Sequence, residues 1–550
     1  MVTAGSRRGH HVAHTVFSTP RRNPIMQRMS HGDVVSLERV QAAREQLDAL
    51  NQSLAMPIAF AAPRRLTDFG YMFAKLQDND ANLLPAGQAT VDNLKRLGQS
   101  MRDHAPEDAS NSTIPSAYTF LGQFIDHDIT LELASDDFGE LDSPEVLDAM
   151  EKVLQRVKNE RTATLDLDSV YGTPAPFNGE RMRLGPVFPS GKPVPGKDMY
   201  NDLPRSPRDH DMKFDRFALI GDARNDENLV IAQLHLAFLR AHNALVDRGH
   251  TWESARRVLQ QLYQWVVVED FLVRIVGRRV VDRVKQGSQF FKPTDTNFFM
   301  PLEFSVAAYR FGHSLVRNRH DYNLHYPTAD FNDLFTYTAL SGQIGEKIGE
   351  EPIEESGYDE LPRDRVIQWE RFVDVNPNPA RLIDTRLVEP LFELRNELGI
   401  VHGGVDALLA VRNLLRGYKL RIPTGQAVAC AMSLSPLDPA ALRNLIRVNA
   451  ERAGMNDADK DALMNAGFDM HTPLWFYILA EAELLEGGMH LGPVGGTIVA
   501  EVIIEMIRRS ANSIFEFDGD WNPSQLSGAL EQQVDSTFNL SDLLRLGGVL

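Results

Sequence analysis

The chain has 550 residues, 43% of them hydrophobic, enough to bury a large core. Its 57 basic and 75 acidic residues leave a formal charge of −18, which argues against binding to nucleic acid or to an anionic membrane surface, since both need clustered Lys and Arg. The single cysteine, Cys430, excludes an intrachain disulfide framework and a cysteine-built metal centre.

Residues 1–55 are polar, with Arg, His and Ser clusters, and read as an N-terminal arm with a short helix. His10, His11 and His14 within it read as solvated rather than as metal ligands. No apolar stretch follows the basic residues there, so no secretory signal is legible and a cytoplasmic location is the expectation. No uninterrupted apolar run is long enough to span a bilayer. From Met56 onward apolar spacing predicts helices over 116–130, 143–158, 227–248, 252–277, 301–317, 402–415, 437–452, 473–486 and 493–511. Strand signals are few and short. The Pro-, Gly- and charge-rich stretch 174–213 reads as a long loop or ordered excursion, a kind of segment that is often functional. Residues 56–515 are expected to form one large, mainly α domain. Residues 516–550, closing on the amphipathic "FNLSDLLRLGGVL", are expected to pack on it as a C-terminal extension.

Four segments carry residues with chemistry. In "LGQFIDHDIT", residues 121–130, an apolar helix holds Gln123 and the triplet Asp126-His127-Asp128, although buried charges need partners or a metal. In "GDARNDENLVIAQLHLAFLRAHN", residues 221–243, Arg224 and Glu227 share a face if the helix has already begun. Asp226 and Glu227 would equally suit an acidic first turn. In "AAYRFGHSLV", residues 307–316, His313 sits in an apolar helix with Arg310 one turn earlier. In "LLAVRNLLRGYKLRIPTG", residues 408–425, Asn413 lies on a largely apolar helix. Single histidines such as His235, His242, His402, His471 and His490 are more often structural. A fifth stretch, "RTATLDLDSVYG", places hydroxyls and carboxylates at alternating positions, which suits a hard cation but also a polar turn before Tyr171.

Taken together and in order, the four segments resemble the animal haem peroxidase family of the peroxidase–cyclooxygenase superfamily, over roughly residues 65–510. The resemblance implies a mainly α, single haem-peroxidase domain with few short strands, in a bacterial-type member. It implies haem b as cofactor, hydrogen peroxide as substrate, and a small organic donor, halide or thiocyanate as the electron source. His127 matches the distal histidine, a general base and then acid in peroxide cleavage on the way to an oxoferryl haem. Arg224 matches the distal arginine and Gln123 the glutamine near the halide site. His313 matches the proximal iron ligand, and Asn413 the acceptor for its other ring N–H. Asp126 and Glu227 match the carboxylates that mammalian members esterify to haem methyl groups. Asn228 stands where members with a sulfonium link carry methionine, so that link is not expected. Asp128, Thr162, Thr164, Asp166 and Asp168 match a calcium site, with Asp168 where many members have Ser. Two other functions compete. One is a fatty-acid dioxygenase or cyclooxygenase-like enzyme; in cyclooxygenases a tyrosine lies three residues before the proximal ligand, where this chain has Arg310, and Tyr309 lies four before. The other is a non-catalytic scaffold, which the presence of His127, Arg224 and His313 disfavours.

Overall fold

The structure, a computed structural model, describes residues 35–36, 67–134, 140–146, 149–172, 177–205, 218–294, 296–338, 361–394, 403–516, 521–530 and 534–550. His10, His11, His14, His402 and most of the N-terminal arm lie outside them. The longer helices are α1 (Gln88–Ser100), α2 (Ala117–Ile129), α3 (Met150–Arg156), α4 (Leu229–Asp247), α5 (Trp252–Val266) and α6 (Arg278–Lys285), followed by α7 (Leu409–Lys419), α8 (Gly425–Ala431), α9 (Pro439–Arg452), α10 (Asp457–Met464), α11 (Leu474–Glu486), α12 (Pro493–Arg508) and α13 (Leu540–Leu546). Their apolar faces join in one continuous core running from Phe69 to Val549. Strands among the described residues are two to five residues long and pair distant segments: Asn111–Pro115 lies antiparallel to Pro379–Arg381, and Phe69–Gly70 parallel to Met300–Pro301.

Helix α2 is buried on nearly every side, by Leu121, Phe124, Ile125, His127 and Asp128 among others. No side chain caps its start. The N–H groups of Ser116 and Ala117 donate instead to the carbonyls of Asn378 (2.9 Å) and Phe372 (3.0 Å), which satisfies donors that a buried helix end cannot leave open. Helix α4 begins at an Asn228 cap, whose Oδ1 accepts the Ile231 N–H at 2.9 Å. By length and composition α4 alone among the described residues could cross a bilayer, but 83% of its apolar window is buried inside the protein, so it is a core helix. Helix α5 continues through a π turn, Val267–Phe271, into Leu272–Val276. That turn swings Asp270 inward, where it accepts the Tyr118 hydroxyl at 2.6 Å and the Leu540 N–H at 3.0 Å.

Three expected helices differ. Over 301–317 there is a four-residue helix, Leu302–Ser305, and then a 3₁₀ segment, Ala308–Leu315. Ala307, at φ −131° and ψ −73°, leaves helical geometry between them. The helix expected at 402–415 starts at Leu409, because Leu408 is extended, and runs on to Lys419 past Gly417. The one expected over 143–158 is reduced to Met150–Arg156 before the chain turns into strand.

Candidate active site

The Asp-His-Asp triplet sends its three side chains to three partners, as neighbours about 100° apart on a helix do. The Thr130 hydroxyl donates to Asp126 Oδ1 at 2.9 Å. His127, fully buried, meets Asn225 Oδ1 through Nδ1 at 2.8 Å. Asp128, also fully buried, accepts the N–H groups of Leu167 (3.1 Å) and Ser169 (3.0 Å).

Arg224 lies in a 3₁₀ turn, Ala223–Asp226, capped by Asp222. The α-helix starts only at Leu229, so neither the shared α-helical face of Arg224 and Glu227 nor an acidic first turn of α4 is met; Asp226 lies in the preceding 3₁₀ turn and pairs with Arg205 at 2.7 Å. The Arg224 Nη2 group donates to the carbonyls of His127 (3.0 Å) and Thr130 (2.6 Å) and to Asp222 Oδ2 (2.7 Å). Asp222 also pairs with Arg161. Burial would raise the Asp222 carboxyl, but the two guanidinium groups outweigh it and hold it far below the usual range. Gln123 Nε2 donates to Glu227 Oε1, and Asn228 Nδ2 donates to Gln123 Oε1 at 3.2 Å. Gln123, Glu227 and Asn228 thus form one hydrogen-bonded set beside α2.

The His313 segment packs against the same helix. Tyr309 donates its hydroxyl to the Gly122 carbonyl at 3.1 Å. Burial lowers the Arg310 guanidinium to about 10, with Asp126 close enough to oppose the shift, so the charges of the two segments sense each other. Asn413 reaches His313 from α7, 100 positions away, at 2.8 Å. The contact is the expected one, but its sense is reversed. The Asn413 amide nitrogen faces His313 Nδ1, because its oxygen accepts from Arg310 Nη1 at 2.7 Å. Open space borders the segment beside His313: a Cβ built on the half-buried Gly312 meets no atom within 4 Å, although Phe311 and His313 are 2% and 6% exposed.

The expected calcium loop closes on the C-terminal end of α2. Thr162 Oγ1 donates to Asp168 Oδ2 at 2.8 Å, and Thr164 Oγ1 to Asp166 Oδ2 at 2.8 Å. Two non-glycine residues of this loop, Ala163 (φ 49°) and Leu167 (φ 56°), are left-handed. Burial, reinforced by Asp166, pushes the Asp128 carboxyl up to about 7, against the pull of backbone N–H groups and Arg161. The described residues contain no group of three or more His, Cys, Asp or Glu side chains set to hold a metal ion. The loop is oxygen-rich and tied to α2 by Asp128, but its carboxylates are held by hydroxyls and N–H groups rather than gathered on a point.

Sequence reasoning missed Asn225, which joins His127 to His235, and Asp222, which clamps Arg224. The signal for Asp222 was present, as an Asp two residues before Arg224 at the start of a turn. Nothing in the sequence marks Asn225.

Residues 143–339 match the profile of the animal haem peroxidase family. Arg224, Glu227, His313 and the 162–168 loop fall inside that match, and Gln123, Asp126, His127, Asp128 and Asn413 outside it. The chain is 33% identical over 118 residues to a peroxidase-like protein of Margaritifera margaritifera, covering 18% of this chain and 14% of that protein. It is 27% identical over 305 residues to thyroid peroxidase of Mus musculus, covering 52% of this chain and 29% of that protein. The matched stretch thus spans less than a third of these relatives' length. Peroxidase A from Dictyostelium discoideum shares the fold at a TM-score of 0.51 and 15% identity, over 88% of this chain and 93% of that one. A fatty acid alpha-dioxygenase from Oryza sativa shares it equally, at 0.51 and 14% identity, over 92% and 90%. The fold alone therefore does not separate peroxidase from dioxygenase. The family profile over residues 143–339 and the peroxidase relatives agree with the mainly helical architecture, and over that stretch the chain is similar to the animal haem peroxidases.

Proposed function

We propose that the protein is a haem-dependent peroxidase that reduces hydrogen peroxide at the expense of a small organic donor, halide or thiocyanate. The observation that carries this reading is the convergence of the His127, Arg224 and His313 segments on one buried cluster. Asp126 lies within electrostatic reach of both Arg224 and Arg310 in that cluster. Bound haem would supply an iron that accepts a peroxide oxygen and stores its oxidising equivalents. His313 would hold the iron through Nε2, which requires its ring proton on Nδ1. Asn413 must then turn its oxygen to that N–H, and Arg310 must release it. The open space at Gly312 and the amide within 2.8 Å of His313 fit this role. His127 takes a proton from the inner peroxide oxygen and returns it to the outer one. Arg224, held by Asp222, places a fixed cation beside charge that develops as the O–O bond breaks. Asp126 and Glu227 are proposed as haem-edge anchors, with ester bonds as their extreme form, and Gln123 as the contact for a small anionic donor. Asp128 and the oxygens of Thr162, Thr164, Asp166 and Asp168 are proposed to take calcium.

The test is His127→Ala in the haem-loaded full chain. The Soret band should persist while the rate of peroxide consumption falls by about 10²–10⁴-fold. Equal rates would end the assignment of His127. Acidified-butanone extraction of the same wild-type sample reports on the esters, since complete extraction of haem means that none formed. The shared fold of the alpha-dioxygenase motivates one control. Brisk oxygen uptake with linoleate or arachidonate, without peroxide, would make dioxygenation the primary reaction instead.

A further inference from the structure

His127 and His235 face one amide. Asn225 Oδ1 lies 2.8 Å from His127 Nδ1, and Asn225 Nδ2 lies 3.0 Å from His235 Nδ1. All three residues are fully buried. Asn225 sits in the 3₁₀ turn between Arg224 and Glu227, and its backbone N–H donates to the Asp222 carbonyl at 3.0 Å. An amide oxygen only accepts and an amide nitrogen only donates, so the two rings cannot carry their protons on equivalent atoms.

We propose that Asn225 is a positioning residue that fixes the tautomer of His127, holding its proton on Nδ1 and presenting the Nε2 lone pair as the proton acceptor. This rests on the peroxidase reading and deepens it by naming which ring atom moves the proton. The accounting closes at one atom. A proton leaving the inner peroxide oxygen binds Nε2 and forms imidazolium, and the same proton leaves Nε2 for the departing oxygen. Through both steps the Nδ1–H stays on Asn225 Oδ1, so the ring does not turn. His235 completes the device from behind. It accepts the Asn225 N–H through Nδ1 and so keeps the amide from rotating, while Phe124 packs against its ring edge to face at 6.1 Å. Its burial lowers its pKa to about 3, which keeps it a neutral acceptor. Among the charged neighbours of this arrangement, Arg224 contacts the His127 backbone, Asp222 pairs with the two arginines and also senses His127 electrostatically, and Asp126 accepts from Thr130.

The experiment compares three haem-loaded full-length variants by the second-order rate constant for peroxide consumption. Asn225→Leu fills the same space without an acceptor and should lower the rate constant about tenfold or more with the Soret band intact; wrong tautomers in other acid–base enzymes have cost up to about 10⁴-fold. Asn225→Asp restores an acceptor and should bring the rate back to within a few-fold of wild type. Recovery by Asp but not by Leu is what a mere packing role does not produce. A Leu variant within twofold of wild type overturns the proposal. Nitrogen-15 NMR of histidine-labelled wild-type apoprotein, with the His127 signal assigned from His127→Ala, gives a second reading that does not depend on haem loading or on variants folding. A protonated Nδ1 with a bare Nε2 supports the proposal, and the reverse tautomer overturns it. If His127→Ala reacts as fast as wild type, the peroxidase reading of His127 falls, while the NMR tautomer still reports on Asn225 alone.

Discussion

At the scale of single residues the site is organised by Asp222. Its carboxylate takes Arg224 through Nε (3.1 Å) and Nη2 (2.7 Å), takes Arg161 from the start of the 162–168 loop, and caps the turn through the Arg224 N–H at 3.0 Å. Removing one partner of a buried pair leaves the other charge uncompensated, at a cost of about 3–5 kcal/mol. Asp222→Asn should therefore lower unfolding stability by about that amount at pH 7, read as a shift of the urea midpoint. The pH dependence has a definite sign. The folded pKa lies below the unfolded one, so the stabilisation is complete above about 4 and is lost as pH falls through the folded value. The gap between wild type and variant should narrow below pH 4, and a gap that stays constant down to pH 3 would refute the clamp. Residues that share one short motif, such as Arg224 with Glu227 or Asp126 with His127 and Asp128, are legible in the sequence because their spacing is set by one turn of chain. Asn225 against His127, or Arg310 against the Asn413 oxygen, is created only when segments about 100 positions apart fold together. Whether an amide presents oxygen or nitrogen is decided there, by competition among donors.

At the scale of elements, long amphipathic helices were readable, and failures fall where apolar content does not reveal the winding. The run Leu302–Leu315 is apolar enough for an α-helix, but Phe304 stacks on Tyr309 at 4.8 Å and Tyr309 meets Phe311 edge-on at 5.8 Å, contacts made across a break at Ala307 and into tighter 3₁₀ turns. The loop 162–168 shows the converse, irregular chain with an ordered purpose. Left-handed Ala163 and Leu167 each cost on the order of 1–3 kcal/mol, and the Asp128 and Asp166 carboxylates repel each other. A bound divalent cation would offset both costs. Calcium at about 100 times its Kd should stabilise the fold by about 2.7 kcal/mol, seen as a higher Tm that EGTA reverses. Asp128→Asn should abolish the calcium response. A wild-type Tm indifferent to calcium and EGTA alike would remove the metal from the loop and leave the hydrogen bonds of Asp128 as its only tie to α2.

At the scale of the whole molecule, the C-terminal helix closes the core against the middle of the helix that starts at the site. Helix α13 is set by an Asn539–Asp542 capping box and buries Leu540, Leu543, Leu544 and Leu546. Its start donates the Leu540 N–H to Asp270 in the π turn, and its end offers the Gly547 carbonyl to Arg240 Nε at 2.9 Å. A Cβ on Gly547 would lie 2.7 Å from the Ala237 carbonyl, so only glycine lets the chain approach α4 this closely. The amphipathic pattern of this segment was plain in the sequence; that it packs on the middle of α4, at Ala237 and Arg240, was not. Four buried leucines contribute about 1.5–3 kcal/mol each as an upper bound, which is comparable with the whole net stability of a typical domain, about 5–15 kcal/mol. Deleting residues 537–550 should therefore do more than fray an edge. The truncated chain should melt at a markedly lower temperature and retain less haem, because α4 loses its packing at Ala237 while the 222–228 turn that leads into it carries Arg224. Gly547→Val in the full chain tests the same contact without removing the helix: it should lower Tm and leave far-ultraviolet ellipticity nearly unchanged. A truncated protein with wild-type Tm and haem content would mean that α13 only covers the core and has no part in holding α4.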